Sequence, residues 1–363
     1  MTASCFWIAR RLVLVLMAMV ATSTAHGEEF ADEDLTAAWS DWVTASRPKN
    51  RQADDESTRP APLVDLAEAT APVSLAGADY FDTALVAGNG RLLGLIAPSD
   101  QAFYHFVSPL SNPCLFEDPR TLTEMRFHFV NQWIPNGNPV FGGGTAQLLA
   151  VQLRFALTER LSVVAVKDGY LWLHPESPAA GDPQGWADLG GGLKYNLIRN
   201  PETQTLLSLG VTHEFPSGAN RVFQGSGDGE WNLFYSAGQE FFGFAHWVSG
   251  AGIRIPNDGR HSGMMWSSNA FDVMLTDRWY LMSQVNWFHW YENGGVLPLG
   301  FEGNDMFNLG SNAVEGNDIV TASIGGRYKF GRYHETGVAY ELPLTQRKDL
   351  LEGRLYVDLT FRF

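Results

Sequence analysis

The chain is short of positive charge: 25 Lys+Arg stand against 40 Asp+Glu, a formal net charge of −15 over 363 residues. Proteins bind nucleic acid largely by exchanging Lys and Arg for phosphate counterions, so no nucleic-acid partner is expected. Cysteine is nearly absent. Cys5 falls in an expected export signal, which leaves Cys114 without an intramolecular partner and excludes a disulfide scaffold. Charged side chains make up 18% and aromatic ones 13% of the chain, where a soluble domain carries roughly 25% charged. Apolar surface therefore has to go somewhere other than one compact core.

Long apolar runs are missing as well. The run over residues 12–21 follows Arg10 and Arg11 and precedes Ser23 and Ala25, the small residues of a cleavage site. It is about half the ~20 residues that a spanning helix needs, so residues 1–25 read as a signal peptide cleaved after Ala25. No later stretch reaches 18 apolar residues. The exported chain is then soluble, or crosses a membrane as strands.

Strands are what the second part of the chain encodes. Twelve segments alternate apolar and polar side chains, the β period of two: 123–134, 146–157, 161–173, 186–198, 204–215, 230–241, 243–255, 264–275, 278–291, 318–330, 334–344 and 351–363. In the last, Leu355, Val357, Leu359, Phe361 and Phe363 alternate with Arg354, Tyr356, Asp358, Thr360 and Arg362. Globular strands have a mode of about 5–6 residues, whereas a tilted membrane strand needs about 9–11. Tight turns (158–160, 199–203, 242, 276–277, 331–333) alternate with longer loops (135–145, 174–185, 216–229, 256–263, 292–317, 345–349), as short periplasmic turns and long outer loops do. Trp133, Trp172, Trp186, Trp231, Trp266, Trp287 and Trp290 fall near the long-loop ends and Trp247 and Trp279 near the tight-turn ends, the expected positions of two interfacial girdles. The expected fold is all-β: a transmembrane antiparallel up-and-down β-barrel of about 12 strands over residues 123–363. It sits in the outer membrane of a diderm bacterium, with an N-terminal periplasmic, partly disordered extension and the C-terminus in the periplasm.

Taking the more apolar face of each strand as the lipid face (Leu149, Val151, Leu153, Phe155; Leu189, Leu193, Tyr195, Leu197; Leu207, Leu209, Val211; Val338, Tyr340, Leu342) leaves a charged interior. Arg126, Arg154, Lys194, Arg254, Arg327, Lys329, Arg354 and Arg362 face Asp188, Glu214, Glu230, Glu240, Asp272, Glu335, Glu341 and Asp358. Charge at membrane depth is costly unless it meets opposite charge or water. Two readings stand: a solute pathway, or a network of ion pairs that plugs the barrel. The balance of signs argues against strong anion or cation selectivity. Tyr170, Trp172, Phe234, Tyr280, Met282, Phe288, Trp290 and Tyr356 are expected to point inward, which suits an aromatic or apolar solute. Lys167 and Asp168 break the alternation and predict a bulge.

Asp188-Leu-Gly-Gly-Gly-Leu-Lys-Tyr195, then Leu206-Leu-Ser-Leu-Gly-Val-Thr-His-Glu-Phe-Pro-Ser-Gly218 and the Gly-Ser-Gly-Asp loop over 225–228 resemble the outer-membrane barrel family named for a MetA pathway of phenol degradation. The likeness covers residues 186–255. It implies a barrel that passes small hydrophobic or aromatic compounds, and it brings no catalytic residues. The expected function is a channel or transporter for small solutes, hydrophobic or aromatic ones included. The alternatives are a barrel enzyme of lipase or protease type and a closed structural or surface barrel. Expected partners are outer-membrane lipid, the barrel assembly machinery and a small-molecule solute.

Residues 26–122 differ in kind: 16 acids oppose 6 bases there, against 24 and 17 in residues 123–363. Leu35, Ala38, Trp39 and Trp42 have helical spacing within 33–45, and the polar stretch 47–62 reads as a disordered linker. The short apolar pieces that follow are too short for spanning strands and are either a plug entering the barrel or a tail packed loosely beneath it, the tail being the favoured reading. Residues 108–119, with three prolines, read as a turn feeding the first strand. The long loop 292–317 could gate or bind.

Catalytic and metal patterns fail on spacing. His261-Ser262-Gly263 lacks the intervals of the barrel phospholipases, and neighbours on a strand point to opposite faces. Asp258 with His261 and Asp228 with His213 are ordinary loop neighbours. Asn304, Asp305, Glu315, Asn317 and Asp318 lack a Ca²⁺-loop spacing, and the glycines at 142–144 lack the Lys-Ser/Thr of a phosphate cradle. No catalytic residue, cofactor or metal is expected. The ending at Phe363, with Leu355, Val357, Leu359 and Phe361, resembles the assembly signal of outer-membrane barrels. Deleting Phe363 is expected to lower the yield of heat-modifiable barrel in outer-membrane fractions, and an unchanged yield would remove that role.

Overall fold

The computed structural model describes Arg91, residues 94–331 and residues 333–363. The expected signal peptide, the helix over 33–45 and the linker over 47–62 lie outside the described residues. Strand segments follow one another as β1 (Glu124–Ile134), β2 (Gly144–Ala156), β3 (Leu161–Lys167), β4 (Tyr170–Pro175), β5 (Gln184–Trp186), β6 (Leu189–Asn200) and β7 (Thr205–Phe215), then β8 (Glu230–Phe241), β9 (Ala245–Pro256), β10 (Gly263–Met274), β11 (Trp279–Glu292), β12 (Asp318–Lys329), β13 (His334–Pro343) and β14 (Gly353–Arg362). Each pairs antiparallel with its neighbours. β3 and β4 both pair with β2 and in turn carry β6 and β5, so the segments make twelve spans. The sheet closes where β1 meets β14, in register from Glu124–Arg362 to Trp133–Gly353.

The pleat sends alternate side chains to opposite faces. In β10, Met264, Trp266, Ser268, Ala270 and Asp272 are buried inside while Met265, Phe271 and Val273 are exposed outside. The expected lipid face is where it was read: Leu149, Leu189, Leu193, Tyr195, Leu197, Leu209, Val338, Tyr340 and Leu342 are exposed. Parity also corrects the girdle. Trp266 was read as interfacial but lies on the inward row, 1% exposed, with its indole N–H donating to Asn232 Oδ1 at 2.9 Å. Trp290 is buried inside likewise.

The predicted break near Lys167 reverses a second expectation. Register shifts between Ala165 and Lys167 against β6, and the Asp168 carboxylate accepts from the Val151 N–H at 2.8 Å. One extra residue swaps the faces of everything beyond it. Ser162, Val164 and Val166 point inward before the shift, Lys167, Leu171 and Leu173 after it. Tyr170 and Trp172, expected inside, therefore point outward, and Tyr170 packs between Trp172 and Trp186.

Candidate functional site

The lumen is filled from both ends. From the tight-turn end, residues 99–123 run into the barrel and return to β1. Ala97 bridges Ala156, Ser99 N donates to Phe363 O at 2.7 Å, and Asp100 pairs with Arg199 at 2.7 Å. From Phe106 to Glu124 every residue is buried. The expectation of a loosely packed tail is corrected for this stretch, because a polar wall surrounds it. Lumenal side chains donate to its backbone: Gln284 to Ser111 O (2.7 Å), Gln152 to Pro113 O (2.8 Å), Ser236 to Glu117 O (2.6 Å), Ser208 to Pro119 O (2.6 Å) and Lys194 to Arg120 O (2.9 Å). A segment rich in proline and lacking a ladder of its own has its carbonyls satisfied by the barrel.

Nine of the interior charges form one alternating chain. Arg126 and Arg327 share Asp358, Arg327 and Arg362 share Glu335 (3.1 and 2.7 Å), Arg362 and Arg154 share Glu124 (2.8 and 2.9 Å), and Arg154 and Lys194 share Glu117. Glu117 belongs to the inner segment, not to the wall. Next to it, burial would raise the Asp118 carboxyl, but Arg120, bonded to both its oxygens, holds it well below the usual range. Elsewhere Lys167 pairs with Glu214 and Arg254 with Glu230. His246 lies between Asp272 (2.7 Å) and Glu240 (3.4 Å), and Lys329 donates to Tyr104 O at 2.6 Å.

The apolar side chains of the segment sit on an aromatic stripe of the wall. Phe103, Phe106, Leu115 and Phe116 form one cluster with Phe234, Met264, Trp266, Phe288 and Trp290. The Phe116 and Trp266 rings are 6.5 Å apart and tilted by 56°. Glycine makes the seat: a Cβ on Gly250 would lie 2.8 Å from the Phe116 ring, and one on Gly337 would lie 2.5 Å from Leu110 Cδ2.

From the other end the loop between β11 and β12 folds inward, with residues 301–311 all buried. Asp305 Oδ1 reaches Arg354 NH1 at 2.7 Å, and Arg254 NH1 donates to Asn304 O at 2.9 Å. Glu302 accepts from Leu309 N (2.7 Å), Ser311 N (2.8 Å) and Ser262 Oγ (2.5 Å), and burial still holds its carboxyl above the ordinary range. Where the loop and the segment approach each other, a cavity of about 20 Å³ is lined by Cys114, Leu115, Lys167, Glu214, Arg254 and Asp305 among others. That is room for about one water molecule. Burial pushes the Cys114 thiol up to about 12.

The expected lumenal residues Arg126, Arg154, Asp188, Lys194, Arg254, Asp272, Arg327, Lys329, Glu341, Arg354, Asp358, Tyr280, Phe288 and Trp290 are all buried in the barrel. Glu214 and Glu240 are partly exposed. Asp188 accepts from Gly218 N (2.7 Å) and Gly225 N (2.8 Å), so it pins the loop after β7. Sequence reasoning missed the partners Glu117, Phe116 and Asp305. A signal was present in the Asn112-Pro-Cys-Leu-Phe-Glu-Asp-Pro119 stretch, whose apolar-then-acidic order complements a lumen that is aromatic on one side and basic on the other. His261 bonds Ser226 at 2.8 Å, not Ser262, and no protein partner meets its Nδ1 among the described residues. A Ser–His–acid triad is not assembled there.

No protein-family model matches the chain and no curated protein matches it. The fold is that of outer-membrane β-barrels. Among solved structures the chain is similar to the COG4313 outer membrane channel from Pseudomonas putida F1, at 13% identity and TM-score 0.50, over 71% of this chain and all of that one. It also matches the Pseudomonas putida toluene transporter TodX (11% identity, TM-score 0.33, 73% of this chain and 95% of that one) and the KdgM porin (10%, 0.38, 66% and 99%). The last two superpose too loosely to bear on the argument.

Glu117 links two wall cations, so Glu117→Gln should loosen the inner segment without removing a wall residue. Cys114 in the folded barrel should react slowly with maleimide at pH 7. The variant should react at least about tenfold faster, the equivalent of ~1.4 kcal/mol in opening. Equal rates would show that the pair does not hold the segment.

Proposed function

We propose that this chain is an outer-membrane channel for small apolar or aromatic solutes, closed in this state by its own inner segment. The reading places both ends of the barrel chain in the periplasm and the long loops outside. One observation carries it: Phe103, Phe106, Leu115 and Phe116 occupy an inward aromatic stripe that withdrawal of the segment would bare to the lumen. Such a stripe offers a flat, polarisable surface to an aromatic guest.

The rest of the interior agrees with a lumen that is wet in its open state. A permanently filled barrel is made more cheaply from apolar side chains, since buried ion pairs often break even or cost stability against well-packed hydrophobic replacements. A wall that keeps Arg126, Arg154, Arg327, Arg354 and Arg362 is suited to meet water. The eight bases and eight acids read for the inner face balance in number, so the polar part need not favour anions or cations. The similarity to a solved outer-membrane channel supports the barrel architecture on which this rests.

The test is reconstitution of the full chain and of Phe116→Ala in liposomes and planar bilayers. The variant should conduct more often than the wild type, and it should admit a fluorescent naphthalene derivative faster than sucrose. Sucrose passing as readily as the aromatic probe would make this a polar porin. Absence of flux and conductance in both proteins would leave a closed structural barrel.

A further inference from the structure

The two closures of the lumen meet at one cation. Arg354, in β14, is fully buried. Its NH1 lies 2.7 Å from Asp305 Oδ1 on the inturned loop and also donates to the Tyr356 hydroxyl. Tyr356 OH donates to Glu341 Oε2 at 2.8 Å and accepts from Asn112 N, at 3.4 Å, in the deepest turn of the inner segment. Glu341 Oε1 accepts from Asn286 Nδ2 at 2.9 Å and from Thr321 Oγ1, and Asn286 Nδ2 also reaches Ser111 Oγ at 3.0 Å. Glu341 is thus engaged in holding the segment through Tyr356 and Asn286. It is also the second carboxylate near Arg354, with Oε2 at 3.7 Å from NH1.

We propose that Arg354 is a latch shared by the loop and the inner segment, so that release of either loosens the other. The inference rests on the reading that these two elements close the lumen, and it is independent of the solute. With the loop inside, Asp305 is the closer counter-charge of Arg354, and Glu341, 3.7 Å away, accepts its hydrogen bonds from hydroxyl and amide donors. When the loop leaves, a guanidinium in this setting needs another counter-charge, and Glu341 is the carboxylate within reach. Drawing Glu341 onto Arg354 takes its oxygens from Tyr356 and Asn286 and weakens their hold on Ser111 and Asn112. The device therefore has two discrete arrangements, Arg354 with Asp305 and Arg354 with Glu341, which both closures bias.

The loop tip is poised for this exchange. Asn304 is in the left-handed region (φ 56°) and is 1% exposed, and among the described residues neither polar atom of its side chain has a partner. Asp305 Oδ2 has none among them either. Buried unpaired groups and a left-handed backbone each work against the closed tip, and the Asp305–Arg354 pair is the ion pair at that tip that opposes them.

Hydrogen–deuterium exchange on the reconstituted full chain tests the latch from both sides, because a coupling free energy is reciprocal. Asp305→Asn should speed exchange about tenfold in peptides covering 301–311 and also in those covering 103–113. Ser111→Ala should do the same in both regions, and heat-modifiable migration checks that each variant is folded. Either variant suffices if the other fails to assemble. A cycle combining Asp305→Asn with Tyr356→Phe should be non-additive in the 103–113 peptides. Asp305→Asn freeing the loop alone, Ser111→Ala freeing the segment alone, or strict additivity in the cycle would each overturn the latch. Failure of the channel reading looks different: coupled exchange without solute flux removes transport and leaves the latch, and flux with uncoupled exchange removes only the latch.

Discussion

Hydrocarbon gives a peptide N–H or C=O no partner, and each unpaired group there costs several kcal/mol. The pairing of β1 with β14 therefore underlies everything else in the molecule, because it leaves the sheet without an edge. Closure also divides the side chains. Once the sheet is a cylinder, every second residue is committed to the interior, whatever its polarity. The outward rows are then free to be aliphatic, and the inward rows must find counter-charge, water or another segment of chain.

That demand explains why the interior is occupied by these two elements in particular. The wall alone leaves cations short of partners: Arg154 has Glu124, but Lys194 depends on Glu117 of the inner segment, and Arg354 has Asp305 of the loop at closer range than Glu341 of the wall. Each closing element brings an acid to a basic place. Each also brings apolar side chains to an apolar place, Phe116 to the stripe around Trp266 and Met306 and Phe307 to the cluster with Leu148 and Leu171. Charge and shape select the same occupants.

What was legible in the sequence follows from what is local. Alternation, turn parity and the charged face are properties of single strands, and they located the twelve spans and the buried Arg126, Arg327 and Asp358 without reference to anything distant. Tyr170 and Trp172 were misread because one inserted residue near Lys167 inverts every later position in the span, and the sequence marks the bulge without stating its phase. Trp266 departs from the girdle reading, since an indole at a strand end looks the same whether it serves a girdle or donates to Asn232 two strands away on the inner wall. The inner segment was the least legible part. It has no period of its own, since its carbonyls are satisfied by wall side chains such as Gln284 and Ser236, more than 100 residues away in the chain.

The same mode of attachment bears on how a filled lumen would be compatible with the proposed passage. The segment is gripped through hydrogen bonds from Gln152, Lys194, Ser208, Ser236 and Gln284 to its backbone, and water is a competent substitute for every one of them. Its aromatic side chains rest on a stripe where an apolar guest is an equally competent substitute. The ion pairs of Glu117 and the pair of Asp100 with Arg199 lack a ready replacement, and of the cations that Glu117 would release, Arg154 stays beside Glu124 of the wall. A tightly packed permanent core has no such exchange partners. In this barrel nearly every contact that closes the lumen is one that solvent or solute can make in its place.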